Sequence, residues 1–149
     1  MTKDQGLAIY IDGASRGNPG PAGVGVVIFG PEGETLMEEH LYIGEATNNV
    51  AEYRALLLAL QKAREMGATK IQVFTDSELL FRQMEGLYRV RNSKLVALFQ
   101  GAISLSKEFQ RFKLRHIRRS ENKRADLLAN LGVDAGIRGK KSPRTRRSD

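Results

Sequence analysis

The chain has 149 residues, enough for one domain with its own core. Its 41% hydrophobic content suits a globular chain, no run approaches the ~18 apolar residues of a membrane span, and the lack of cysteine excludes disulfides and thiolate metal sites. A formal net charge of +7 points to an acidic polymer as partner, and an N-terminus without a signal-peptide core leads to the expectation of a cytoplasmic protein with no membrane association.

The first predicted element is a strand over 7–12. Its run Leu7-Ala8-Ile9-Tyr10-Ile11 is apolar on both faces, as in the centre of a covered sheet, and it closes on Asp12. A carboxylate there, followed by Gly13-Ala14-Ser15-Arg16-Gly17-Asn18-Pro19-Gly20, stands where open α/β sheets place their ligand chemistry. Gly17, Gly20, Gly23 and Gly25 do not make a nucleotide loop, because the chain continues as the strand Val24-Gly25-Val26-Val27-Ile28-Phe29 instead of opening a helix. These glycines read either as close approach to a bulky ligand or as tight turns. Strands over 23–29 and 35–43 follow at the short turns Pro19-Gly20-Pro21 and Pro31-Glu32-Gly33, so the first three strands form an antiparallel meander.

A helix over 49–66 carries Glu52 at the head of the stripe Leu56, Ala59, Leu60 and Ala63, which must face the sheet. Buried, that acid needs a cation or hydrogen-bond donors; the alternative is a first-turn acid that reaches water and favours the helix dipole. Gly67 ends the helix, and a strand over 70–75 leads to Asp76, either a ligand or the N-cap of a helix over 77–86. A helix over 93–109, a strand over 111–117 and a helix over 121–135 complete the pattern, and strands alternating with helices pair in parallel. Asp126, among Leu127, Leu128 and Leu131, is otherwise a solvated helical acid. Beyond a domain over 1–136, the segment 137–149 reads as a disordered basic tail. From Gly136 onward there are six Lys or Arg against one acid, and Gly139 and Pro143 interrupt any helix.

Four motifs agree in order and spacing. Asp12 in Asp-Gly-Ala-Ser-Arg-Gly-Asn-Pro-Gly, Glu52 in Thr47-Asn48-Asn49-Val50-Ala51-Glu52-Tyr53, Asp76 in Thr75-Asp76-Ser77 and Asp126 in Asn122-Lys123-Arg124-Ala125-Asp126-Leu127-Leu128-Ala129 closely resemble the type 1 ribonuclease H family, over about residues 7–135. The resemblance implies an α/β, ribonuclease H-like fold with a five-stranded mixed sheet flanked by helices. It also implies endonucleolytic hydrolysis of the RNA strand of RNA/DNA hybrids, by a monomer, leaving 5′-phosphate and 3′-hydroxyl ends. Asp12, Glu52, Asp76 and Asp126 are then the catalytic, metal-binding acids, holding two Mg²⁺ (or Mn²⁺) ions when substrate is bound. Asn18, Asn48 and Asn49 match positions that hydrogen-bond in the minor groove, Thr47 matches a DNA-phosphate contact, and Gly13 and Ser15 belong to the same substrate-binding surface.

Phosphodiester hydrolysis needs an acidified water and a neutralised anionic transition state, and two hard cations about 4 Å apart supply both. Mg²⁺ takes oxygen ligands and shares its shell with substrate phosphate. Asp12, at the central strand, is best placed to bridge the ions. Minor-groove readout resolves little sequence, so cleavage is expected to be largely sequence-independent, with the 2′-OH distinguishing RNA from DNA.

The chain departs from many relatives in three places. Met84 to Ser93 is too short for a basic helical handle, and there is no Trp; Glu78 stands where many relatives carry glutamine. His116 alternates with Phe112 and Leu114 on one strand face, which predicts a structural histidine turned inward. Arg118 is then the expected electropositive helper, with Arg119 beside it in the loop before Asp126. Two other readings stay open: a non-catalytic nucleic-acid-binding domain on the same fold, which buried negative charge disfavours, and cleavage extended to duplex RNA.

Overall fold

The apolar N-terminal run becomes β1 (Leu7–Ser15), and its central position follows from having no polar face to offer water. The computed structural model, which describes residues 6–141, orders the five-stranded sheet β3-β2-β1-β4-β5. β2 (Gly20–Phe29) and β3 (Thr35–Ala46) form the antiparallel meander with β1, in the register Ile11↔Val26 and Val26↔Glu39. β4 (Lys70–Thr75) and β5 (Arg111–His116) add in parallel, as crossover helices require. Among the described residues, no helix is long and apolar enough to cross a membrane.

The helices are α1 (Asn48–Glu65), α2 (Glu78–Met84), α3 (Ser93–Ser106) and α4 (Lys123–Lys141), with one 3₁₀ turn at Arg119–Glu121. α1 lays Leu56, Ala59, Leu60 and Ala63 on the sheet against Ile9, Ile11, Val24, Val26, Ile28, Ile71 and Val73, all buried, and α3 closes over α1. α4 covers the opposite face over β1, β2 and β3.

The structure revises several expectations. Gly23 and Gly25 meet neither a ligand nor a turn: a Cβ at either would come 2.6 Å from α4 backbone, at Ala129 O and Ala129 N respectively. Their role is to let helix and sheet touch backbone to backbone. Gly132 faces the Leu41 carbonyl and Gly136 the Tyr42 ring in the same way, so glycine serves packing there, and the helix runs on to Lys141 instead of ending near 135. Residues 137–141 of the expected tail are therefore helical; 142–149 lie outside the described residues. β1 also continues three residues past Asp12, because Asp12 to Ser15 pair with Gly25 to Ala22.

Candidate active site

Asp12 lies within β1, at the point where its two neighbours part. Pairing with β2 continues past it, whereas pairing with β4 ends at Tyr10↔Phe74, so Asp12 faces the opening between β1 and β4. Gly13, the next residue, brings Glu52 to it. A Cβ there would lie 2.6 Å from Glu52 N, so only glycine lets the first turn of α1 settle against β1. Glu52 is buried, which excludes the water-facing first-turn acid. Asp76, half-buried, follows β4. The N-cap of α2 is Ser77, whose Oγ accepts from Leu80 N–H at 3.1 Å, so Asp76 is released from that task.

The consequence is a cluster of oxygen donors. One carboxylate oxygen from each of Asp12, Glu52 and Asp76 lies within 4.8 Å of the others. Asp126, half-buried on the first turn of α4, is near enough to Asp12 to help raise its carboxyl. Burial, then repulsion from Asp76 and Asp126, pushes the Asp12 carboxyl up to about 8; the Gly13 backbone N–H opposes the rise. Burial, then Asp12 and Asp76, raises Glu52 well above the ordinary carboxylate range. Glu52 Oε1 is buried with no hydrogen-bond partner among the described residues. Crowded acids and an orphaned buried oxygen need a cation, and an all-oxygen donor set suits a hard divalent ion. The cluster can hold a metal.

Asn122 is the residue that the sequence did not single out. It is 1% exposed, and its Nδ2 donates to the Ile11 carbonyl at 2.8 Å and to Asp76 Oδ2 at 3.0 Å, tying β1, β4 and the start of α4 together beside the acids. Its place four residues before Asp126 was the available signal. Behind Asp126, Asn130 Nδ2 donates to the Asp126 carbonyl at 3.0 Å, and Arg16 donates to Asn130 Oδ1 at 3.2 Å and pairs with Asp134 at 2.6 Å.

Of the residues expected to touch substrate, Gly13 instead lies against the backbone of α1, while Ser15, Asn18 and Asn48 are tied to one another. Asn18 Oδ1 accepts from Asn48 N–H at 3.0 Å, and Asn48 Oδ1 accepts from Ser15 N–H at 3.1 Å. The Ser15 hydroxyl has one proton to share between two carbonyl acceptors, Ala46 O at 2.7 Å and Gly17 O. The cap of α1 is Thr47, whose Oγ1 accepts from Val50 N–H at 3.2 Å, and not Asn48 or Asn49. Asn18, Thr47 and Asn49 line a groove of about 620 Å³ that runs to Asn92 and Lys94 at the start of α3.

On the opposite flank the histidine expectation fails. His116 shares the face of Phe112 and Leu114, but as the last residue of β5 it is exposed, and its ring stacks on Phe81 at 5.8 Å. Arg118 is also exposed; its backbone N–H donates to Glu121 Oε1 at 3.0 Å, which shapes the 3₁₀ turn leading to Asn122. Glu78 pairs with Arg82 at 2.8 Å along α2.

Residues 10–132 match the family model described as reverse transcriptase-like. The chain is 43% identical over 130 residues to the bifunctional protein Rv2228c of Mycobacterium tuberculosis, covering 87% of this chain and 36% of that one. It is 42% identical over 125 residues to ribonuclease HI of Halobacterium salinarum, covering 84% and 63%. The fold superposes on LC11-RNase H1 solved in complex with an RNA/DNA hybrid, with a TM-score of 0.83 and 43% identity, over 88% of this chain and 99% of that one. The chain thus spans about a third of the length of the mycobacterial relative.

Proposed function

The chain belongs to the type 1 ribonuclease H family, and on that premise we propose that it hydrolyses the RNA strand of RNA/DNA hybrids endonucleolytically, with little regard for sequence. The observation that carries this reading is the buried acidic cluster at the β1–β4 opening, with Asp126 at its rim. Asp12, Glu52, Asp76 and Asp126 would hold the divalent ions, Mg²⁺ by preference, since oxygen donors and a shared substrate phosphate suit that ion. Bound there, two such ions supply an acidified water and neutralise charge on the scissile phosphate.

The chain's own residues prepare that chemistry. Gly13 allows α1 to deliver Glu52 to Asp12, and Asn122 fixes Asp76 relative to β1. Asn18 and Asn48, locked to each other and to Ser15, present a rigid polar ridge for the minor groove, and Thr47 with Asn49 meets the DNA strand along the groove beside α3. Arg118, exposed on the turn before Asn122, supplies positive charge near the leaving group. LC11-RNase H1 is matched over 99% of its length, and its complex with hybrid supports the choice of substrate.

The test is Asp12→Asn, which removes one central charge without changing shape. Hybrid cleavage is expected to vanish while the circular dichroism spectrum and cooperative unfolding are retained. Turnover at the wild-type rate would remove Asp12 from the mechanism.

A further inference from the structure

Among the described residues, no helix packs broadly on the outer face of β4 and β5. α4 stops over β1, and α2 packs from the core side through Leu80. On β5, Phe112 and Leu114 turn to the core, so Arg111, Lys113 and Arg115 stand together on the outer face. The parallel register sets Lys70 beside Arg111, Gln72 beside Lys113 and Phe74 beside Arg115. Lys70, Gln72, Arg111, Lys113 and Arg115 border a groove of about 380 Å³ lined by four cations and no acid. None of the four takes part in an ion pair among the described residues. Arg115 is held in place by a 2.6 Å hydrogen bond from its Nε to Gln72 Oε1.

We propose that this groove is a second nucleic-acid contact, which holds the phosphate backbone of a single-stranded extension of the substrate. Charge complementarity selects a polyanion. The spacing suits a single row of phosphates: alternate residues along β5 recur about every 6.8 Å, close to the separation of successive phosphates along one nucleic-acid strand. A single strand laid along the row can meet each cation with a phosphate. The row also starts at the proposed active site, because Arg115 stands level with Phe74, two residues before Asp76, and leads away toward Arg111 and Lys70.

Base stacking plays little part. The nearby Tyr10 and Phe74 rings stack on each other at 4.6 Å, which takes one face of each, and Phe29 packs edge-on against Tyr10 at 5.7 Å. The contact is therefore to backbone, indifferent to sequence and to the choice between RNA and DNA.

The experiment compares the wild-type chain with Arg111→Glu/Lys113→Glu, and with the milder Arg111→Gln/Lys113→Gln should charge reversal disturb folding. Oligo(dT) binding by fluorescence anisotropy is read beside the KM and kcat for a blunt hybrid and for the same hybrid with an oligo(dT) extension. The wild type is expected to bind oligo(dT) and to show a lower KM for the extended hybrid. The variants are expected to lose about ten-fold in oligo(dT) affinity, with the salt slope falling by about 0.7 per lost contact, and to lose the KM advantage while blunt-hybrid kinetics stay unchanged. Equal oligo(dT) binding by wild type and variants, or a KM advantage that survives substitution, overturns the proposal. So does wild-type binding of polyglutamate through these residues without binding of oligo(dT), which would mark an acidic-protein surface. Failure of the wild type to cut blunt hybrid would count against the proposed activity instead, since the binding readout does not depend on cleavage.

Discussion

Asp12→Asn should flatten the pH response of the metal-free protein. In wild type the Asp12 carboxyl moves from an ordinary 3.8 to about 8 on folding, through burial and then the nearness of Asp76 and Asp126. A group whose pKa rises on folding contributes stability below its unfolded value, and that contribution is lost as pH climbs through the folded value. The window is therefore about pH 4 to pH 8, and at about 1.4 kcal/mol per pH unit Asp12 alone removes about 3 kcal/mol between pH 5 and pH 7.5. Asparagine keeps the shape of the protonated acid and does not titrate, so the variant gains relative to wild type by about that amount over the same interval. Asp12 also helps to raise Glu52, so in the variant the Glu52 shift shrinks as well and adds to the difference in the same direction. Urea unfolding in EDTA at several pH values measures it, and added Mg²⁺ should restore more stability to wild type than to the variant. Parallel pH dependences for the two proteins would refute the reasoning.

Asn122→Ala leaves the Ile11 carbonyl and Asp76 without their donor, so it should lower unfolding free energy by about 1–3 kcal/mol. The Mg²⁺ concentration for half-maximal activity should rise by roughly 10–100-fold, with less effect on KM for hybrid, in a metal titration of the folded protein. Arg118→Ala should reduce kcat by more than His116→Ala, because His116 is engaged on Phe81, with an effect of at least ~10²-fold if the arginine assists the leaving group; the opposite order in steady-state rates would transfer the role to the histidine. Truncation after Lys141 removes Arg144, Arg146 and Arg147 while keeping α4, and should raise KM and lower the salt slope with kcat unchanged; an unchanged KM and slope would make the segment a bystander.

Strand and helix order were legible because period-2 and period-3.6 patterns are written locally in the chain. Asp12, Glu52 and Asp76 were legible as a set because each follows or opens an element whose end can be read, and a parallel sheet brings such ends together. What stayed hidden depends on contacts between distant segments. The same glycine type marks a bend at Gly17 and a helix–sheet contact at Gly23, Gly25, Gly132 and Gly136, and composition cannot tell them apart. This is why α4 looked as though it should stop near Gly136. Asn122 stood out only as the first residue of the Asp126 motif, since its partners, Ile11 and Asp76, are far away in sequence. His116 obeyed the strand alternation, but its position at the strand end decided its exposure.

The most direct measurement is a cleavage assay on end-labelled RNA/DNA hybrid, duplex RNA, duplex DNA and both single strands, with and without Mg²⁺. The buried acids and the family membership predict cuts in the RNA strand of the hybrid, at many positions, only when the metal is present. Hybrid left intact with Mg²⁺, or cut equally well in EDTA, would contradict it.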